Sequence, residues 1–568
     1  MTGGLMQLVG KGAQDQLVTG NPSFTHFRSV YKRHTDFAME HFELYFKTTN
    51  LNLPQSGSLT LRTKVERYAQ LIHDCYLTLN LPDIYSPIVP VPTNTRRLNP
   101  TATAIGYEFQ WIKNIGYNMI NYVSILVNGQ EIVRHTGEWM KLYAALKFDS
   151  NKKAMVDRMV GNVTELYDPA NAFDRMNQYP HAISWSDSQP ADPSLRGRAL
   201  TIPLHFWFCE SVGSALPLIA LQQSEVEIIV ELKNIYQLFT VLDTNLASST
   251  FGLRIAPDSS NSLFTIPHFL SPPLQSVPTT PTNPNLTTWK LNPFIEANYI
   301  FLSDAEMIHI AKTDHSFKIT QIDVKETYGQ YGPSNDLELT MKNLCTRVVW
   351  VGQRLDRAQL NDYDNYTNWS DPQKPPIDAS SLLYMTPWYS SGNAQPTNVS
   401  QRDILLESAI ILDGKERFST KSTDFFSKLQ SYRHNSGRTT SDLPGLYSYS
   451  FALDHGSDQP SGHLNGSMFN KTILRNTYIQ PPLSASPPSN GNVVCVLKST
   501  AGNPNPTIVN GSAVGANGKR LYTPDEIVTV IRKSDAQTLQ YTYNVRAYVE
   551  SYNFLRVLGG IANVVFSS

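Results

Sequence analysis

Polar and apolar residues alternate along much of this chain. In residues 225–232 the even positions, Val226, Ile228, Val230 and Leu232, are apolar, and three of the four odd ones, Glu225, Glu227 and Glu231, are acidic. That period of two is the mark of a strand with one face buried. The same alternation recurs in residues 74–81, with Cys75, Leu77, Leu79 and Leu81 inward, and in residues 337–341 and 542–553. Helical periodicity is confined to short runs. Trp139, Leu142, Tyr143 and Leu146 form one, Phe425, Leu429 and Tyr432 a second, and Ser303-Asp304-Ala305-Glu306 reads as a capping box that opens a third helix. Many strands and few helices predict an all-β class.

Between the strand signals lie stretches rich in Pro, Ser, Thr and Asn: residues 87–100, 256–293, 371–397 and 481–506. Proline has no amide proton for a sheet ladder, so these read as large surface loops. The stretch 256–293 is the best candidate linker. An internal repeat supports a division there. Ser124-Ile125-Leu126-Val127-Asn128-Gly129-Gln130-Glu131 resembles Ala409-Ile410-Ile411-Leu412-Asp413-Gly414-Lys415-Glu416, each an apolar run into a hairpin turn. A short amphipathic helix follows both. Trp139, Tyr143 and Leu146 match Phe425, Leu429 and Tyr432 with a one-residue insertion, which suggests two copies of one β domain.

The length of 568 residues has room for two to four domains, and 41% hydrophobic residues supply ample core. Lys and Arg total 47 against 48 Asp and Glu. No long-range field therefore draws in nucleic acid or an acidic membrane. Cys75, Cys209, Cys345 and Cys495 are far apart and sit among apolar residues. They fit buried free thiols in a reducing compartment, with disulfides the other reading. The opening residues lack the basic and apolar regions of a signal peptide, and no window approaches ~18 apolar residues, so neither a secretion signal nor a membrane span is expected. Asn-x-Ser/Thr sequons occur at Asn162, Asn285, Asn365, Asn368, Asn398, Asn465, Asn470 and Asn510.

Enzyme constellations are not recognisable: there is no GxSxG elbow, phosphate-binding GxxxxGK[ST] loop, HExxH or strand-linked GxGxxG. His34 and His41, flanking Asp36 and Glu40, are candidate metal ligands. On an extended segment, however, a separation of seven puts them on opposite faces roughly 23 Å apart. Arg28, Lys32 and Arg33 interleave with Phe27 and Tyr31, as in nucleic-acid binders, though one such cluster in a neutral chain fits packing or subunit contact better. We assign no catalytic, cofactor-binding or metal-ligating residue and no cofactor. The 28 Tyr, 24 Phe and 8 Trp could build sugar platforms, which keeps a two-sandwich carbohydrate-binding or glycan-processing protein as the alternative.

Several long motifs, in order, resemble the double jelly-roll major capsid proteins of nucleocytoplasmic large DNA viruses, the iridovirus and chlorovirus kind. They include Gly3-Gly4-Leu5-Met6-Gln7-Leu8-Val9, Leu17-Val18-Thr19-Gly20-Asn21-Pro22, Tyr31-Lys32-Arg33-His34-Thr35-Asp36-Phe37-Ala38 and His135-Thr136-Gly137-Glu138-Trp139. Pro203-Leu204-His205-Phe206-Trp207-Phe208-Cys209, Gln459-Pro460-Ser461-Gly462 and Tyr552-Asn553-Phe554-Leu555-Arg556 continue the likeness. The resemblance implies two consecutive eight-stranded antiparallel jelly-roll β-sandwiches with short helices and long loop insertions. It implies an inner arm at 1–25, a first jelly roll at 26–240, a Pro-rich linker at 241–292 and a second jelly roll at 293–568. The implied role is non-enzymatic: a homotrimeric, pseudo-hexagonal capsomer of an icosahedral virion shell, folded and assembled in the host cytoplasm. Its implied partners are neighbouring capsomers, minor capsid proteins on the inner side and a nearby inner membrane that it does not span. Glycans at the sequons are a further expectation, and direct nucleic-acid contact is not expected.

Overall fold

The computed structural model describes residues 3–48, 51–86, 88–90, 108–175, 179–180, 182–184, 192–242, 254–259, 264–270, 289–355, 357, 360–369, 372–373, 402–437, 442–455, 459–479, 493–497, 508–510, 527–532 and 542–566. The Pro-rich stretches 87–100, 256–293, 371–397 and 481–506 fall largely outside them.

Eight strands build a first sandwich: β1 (Phe37–Tyr45), β2 (Ser58–Lys64), β3 (Leu71–Leu81), β4 (Ile120–Val127), β5 (Gln130–Thr136), β6 (Leu216–Pro217), β7 (Val226–Lys233) and β8 (Phe294–Leu302). One sheet runs β1-β8-β3-β6 and the other β2-β7-β4-β5, with every pair antiparallel. The alternating residues 75, 77, 79 and 81 on β3 and 226, 228, 230 and 232 on β7 all turn inward and are buried. Each such strand therefore contributes one apolar face to a shared core.

A second sandwich repeats the plan with β9 (His315–Gln330), β10 (Asn335–Leu339), β11 (Leu344–Arg354), β12 (Leu405–Leu412), β13 (Lys415–Glu416), β14 (Leu446–Ser450), β15 (Thr472–Tyr478) and β16 (Tyr543–Leu558). Its sheets run β9-β16-β11-β14 and β10-β15-β12-β13. Subtracting eight from each label reproduces the first sandwich strand for strand. This is the double jelly roll.

The repeated hairpin joins β4 to β5 and β12 to β13 at equivalent places. Asn128 and Gly129 have φ of 52° and 79°, and Asp413 and Gly414 have 45° and 80°. Two successive positive φ values match the right-handed strand twist, and Asn or Asp followed by Gly tolerates them.

Two expectations need correction. A second unit beginning at residue 293 would own β8, yet β8 hydrogen-bonds between β1 and β3, from Phe37 opposite Leu302 to Phe294 opposite Thr78. The stretch 241–292 therefore lies between two strands of one sandwich. A linker signal rich in proline cannot distinguish a loop that leaves a domain from one that returns to it. The helix after β13 also turns a different face inward. A π-helical turn at Phe425–Leu429 runs into a helix at Gln430–His434, and Phe426 and Gln430 are buried while Leu429 and Tyr432 are 51% and 89% exposed. The extra residue of the π-turn rotates the face by one position.

The helix at Asp304–Lys312 forms as expected, but Ser303 caps it through its backbone oxygen, which accepts from Met307 N, and not through its side chain. Among the described residues no helix is long and apolar enough to cross a membrane.

Candidate functional site: the seam between the sandwiches

The two sandwiches meet along a broad seam, because one sheet of the second is buried on both faces. On β11, Val348 and Trp350 enter the second core while Val349 and Val351 join the cluster of the first. On β16, Val545, Ala547 and Val549 face the second core, and Tyr548 turns to the first. The near-continuous apolar run Val348-Val349-Trp350-Val351 follows from burial on two sides.

From the first sandwich, helix α1 (Gly137–Lys147) lies in the seam. Thr136 caps it, its Oγ1 accepting from Trp139 N at 3.1 Å. At its far end the Leu146 and Lys147 carbonyls accept from Gly437 N (3.0 Å) and Ser436 Oγ (2.5 Å) of the second sandwich. A Cβ on Gly437 would stand 2.0 Å from the Ala145 carbonyl oxygen, so only glycine permits this approach. Trp139 is buried against Tyr548, ring centroids 5.5 Å apart, with the Arg347 guanidinium 5.6 Å from its own ring centroid.

Charged groups cross the seam fully partnered. Glu138 accepts from Arg546 Nε (2.5 Å) and Nη2 (2.7 Å), from the Tyr366 hydroxyl (2.6 Å) and from the Tyr548 hydroxyl. Burial alone would raise the Glu138 carboxyl. The Arg546 guanidinium, with Lys141 and the Tyr366 hydroxyl, outweighs it and holds the group at about 2. One turn on, Lys141 Nζ meets Asp364 Oδ1 at 2.5 Å, and Asn114 and Asn118 donate to the same carboxylate. Within the second sandwich, beside the seam, Arg347 pairs with Glu550 at 2.5 Å; across it Gln321 Nε2 donates to Ile132 O, and Gln223 N donates to Gly560 O.

Three histidines stand around this region, His135 buried and His205 and His455 half-buried. Burial pushes His135 down to about 4, His205 to about 3 and His455 to about 2. His205 packs on Tyr143 and Phe148, and its Nε2 is 2.9 Å from the Tyr117 hydroxyl.

The other residues singled out in the sequence do not gather. His34 and His41 are both exposed, and His41 lies 3.6 Å from Glu296. Among the described residues no group of three or more His, Cys, Asp or Glu could hold a metal ion. Phe27 and Tyr31 are 99% and 81% exposed in an arm whose described residues up to Asp36 are all exposed, as are Arg28, Lys32 and Arg33. Cys75 and Cys345 are buried free thiols, and Cys209 is a half-buried one; the Cys495 side chain lies outside the described residues. The sequons at Asn365 and Asn368 are closed: both are fully buried, Asn365 Nδ2 donating to Trp369 O and Asn368 Oδ1 accepting from the Tyr543 hydroxyl. Asn162 is half-buried, and Asn465 and Asn470 are exposed. Asn285, Asn398 and the Asn510 side chain lie outside the described residues.

Sequence reasoning missed Asp364, Tyr366 and Arg546. The first two sit in a polar stretch that reads as loop. Thr136 and Glu138 were singled out only as part of a family motif, and Trp139 also in a helical run, with no contact between sandwiches attached to them.

A family model described as major capsid protein N-terminus matches residues 25–264. One described as large eukaryotic DNA virus major capsid protein matches residues 306–491. The major capsid protein of Phaeocystis pouchetii virus is 26% identical over 533 residues, 84% of this chain and 92% of the relative. That of Paramecium bursaria Chlorella virus 1 is 25% identical over the full length of both. Among solved structures, a PBCV-1 virus capsid chain superposes with a TM-score of 0.60 at 19% identity, covering 96% of this chain and 100% of that one. The Faustovirus major capsid protein superposes with a TM-score of 0.59 at 13% identity, covering 98% and 96%.

Proposed function

The chain belongs to the major capsid proteins of large eukaryotic DNA viruses, and from that premise we propose that three copies form the pseudo-hexagonal capsomer that tiles an icosahedral shell. Its role is structural, not catalytic. The observation that carries the reading is the repetition of one strand order in two sandwiches joined by a seam that the Glu138–Arg546 and Lys141–Asp364 ion pairs cross. A rigid pair of like bodies lets a threefold assembly present six similar flanks, so that one gene product meets its neighbours in nearly hexagonal array.

The proposed division is an N-terminal arm through residue 36, a first sandwich from β1 to β8 and a second from β9 to β16. The arm reaches neighbouring subunits or minor capsid proteins on the inner side, and the long loops form the outer towers. Assembly takes place in the host cytoplasm, and Asn465 and Asn470 are the described sequons open to a glycosyltransferase.

Size-exclusion chromatography with light scattering tests the assembly. The expected mass is three chains of 63.7 kDa, with a six-lobed outline by electron microscopy. A stable monomer that binds glycan arrays would favour the carbohydrate-binding alternative. Deleting residues 485–515 tests the tower reading: if trimers no longer form, that segment belongs at the subunit interface instead.

A further inference from the structure

We infer that Cys75 and Cys209 form an oxidisable pair, which a peroxide closes into a disulfide that locks the first sandwich once the subunit has left the reducing compartment in which it folds. The change of surroundings rests on the capsid reading proposed above, and the pairing of the two sulfurs does not.

Strand β3 and the segment after Pro203 hold the two residues side by side. Leu204 N donates to Cys75 O at 3.0 Å, and two positions back along the strand His73 Nδ1 lies 2.5 Å from Phe208 O. Between those ties the chain makes a 3-10 turn at Trp207–Cys209, with Cys209 N donating to Phe206 O at 3.0 Å. The turn runs against β3. Alternation points Cys75 inward with Leu77 and Leu79, and Cys209 packs against the same core. The Cys209 sulfur is hydrogen-bonded to both the thiol and the backbone of Cys75. Both are free thiols, so sulfurs already in contact have a short path to the ~2.0 Å bond of a disulfide.

Access orders the steps. Cys75 is 1% exposed and Cys209 half-buried, so hydrogen peroxide, a small oxidant, meets Cys209 first. The O–O bond breaks, the Cys209 thiol becomes a sulfenic acid and one water leaves. The Cys75 sulfur then attacks the Cys209 sulfur, the S–O bond breaks, and the hydroxyl departs with the Cys75 proton as a second water. The two thiols give up two electrons and two protons, and the peroxide takes up both. Burial holds the Cys209 thiol well above its ordinary value, so thiolate is scarce at neutral pH and the reaction is slow. The pair stays reduced while the chain folds and closes afterwards.

The chain enclosed by the link contains β4, β5 and α1. Glu210, the residue after Cys209, accepts from the Tyr143 hydroxyl of α1 at 2.8 Å and lies 3.4 Å from Lys147 Nζ. A cross-link at Cys209 therefore pins the turn that grips the end of the seam helix, and it restricts the unfolded chain as well.

The test treats the full-length protein with hydrogen peroxide, blocks the remaining thiols in denaturant and maps its peptides without reduction. The Cys75 and Cys209 peptides should be joined, and the melting temperature should stand roughly 2–3 °C above that of the reduced protein, a shift that dithiothreitol reverses. Cys209→Ser, with the circular dichroism of the parent, should lose both the link and the shift, whereas Cys345→Ala, in the core of the second sandwich, should keep both. Cys209 recovered as sulfinic acid beside an alkylated Cys75 would overturn the pairing. A link that leaves the melting temperature unchanged would overturn the lock. A monomeric parent that still forms the link would sink the capsomer and leave the pair standing.

Discussion

Glu138 on helix α1 and Arg546 on strand β16 are separated by 408 residues, and they form a two-pronged ion pair with N–O distances of 2.5 and 2.7 Å. Removing either partner leaves the other charge in a largely dry seam. Glu138→Ala should therefore lose ~3–5 kcal/mol of stability, whereas Glu138→Leu combined with Arg546→Met should recover most of it. Denaturant titration of the three proteins measures this. A loss under ~1 kcal/mol for the single variant would mean that the pair is solvated.

Trp139 contacts the first core, the Tyr548 ring and the Arg347 guanidinium. Trp139→Ala should cost ~3–5 kcal/mol, and an unchanged melting temperature would contradict its burial.

At Gly437 even a methyl group collides with the Ala145 carbonyl oxygen. Gly437→Ala should force the loop away from the end of α1, at a cost of about 1–3 kcal/mol, and make residues around 437 more sensitive to limited proteolysis than in the parent. Equal cleavage rates would show that the loop does not dock.

Acid should weaken the fold in two stages. His135 and His205 are held neutral by burial, at about 4 and about 3 against an ordinary 6.5. The unfolded chain takes up protons that the folded chain refuses, so their contribution is complete above pH 6.5 and declines as pH falls from there toward 4. For His135 alone this amounts to about 3 kcal/mol. Glu138, at about 2 against 4.5, adds a second loss as pH falls below 4.5. Melting temperature followed from pH 7.5 to 4 should drop below pH 6.5, and His135→Gln should flatten the upper part of that curve. A flat profile in the parent between pH 7 and 5 would exclude the histidine contribution.

The strands were legible wherever one face meets a core and the other meets water, as on β3 and β7, because alternation records that asymmetry directly. The hairpin repeat was legible for a similar reason: two positive φ values restrict the residue choice. Position 293 misled as a domain edge because strand partners are set by long-range pairing, and nothing local in Phe294–Leu302 says that it returns to β1 and β3. The helix after β13 misled because one residue added to a turn rotates every side chain beyond it. Seam residues such as Asp364 and Tyr366 were invisible for a different reason: a buried polar side chain in a loop looks like a solvated one until its partner, hundreds of positions away, is known.

Strands β11 and β16 lend opposite faces to two cores, and that has a consequence for how such a subunit could be divided. A gene fragment encoding one sandwich would leave a wall of valine, tyrosine and leucine open to solvent, inviting aggregation. Separation into independent single-sandwich proteins would require a new polar surface on the central sheet before either half could survive in solution. The duplication is in that sense locked, and the two halves must melt and diversify as one.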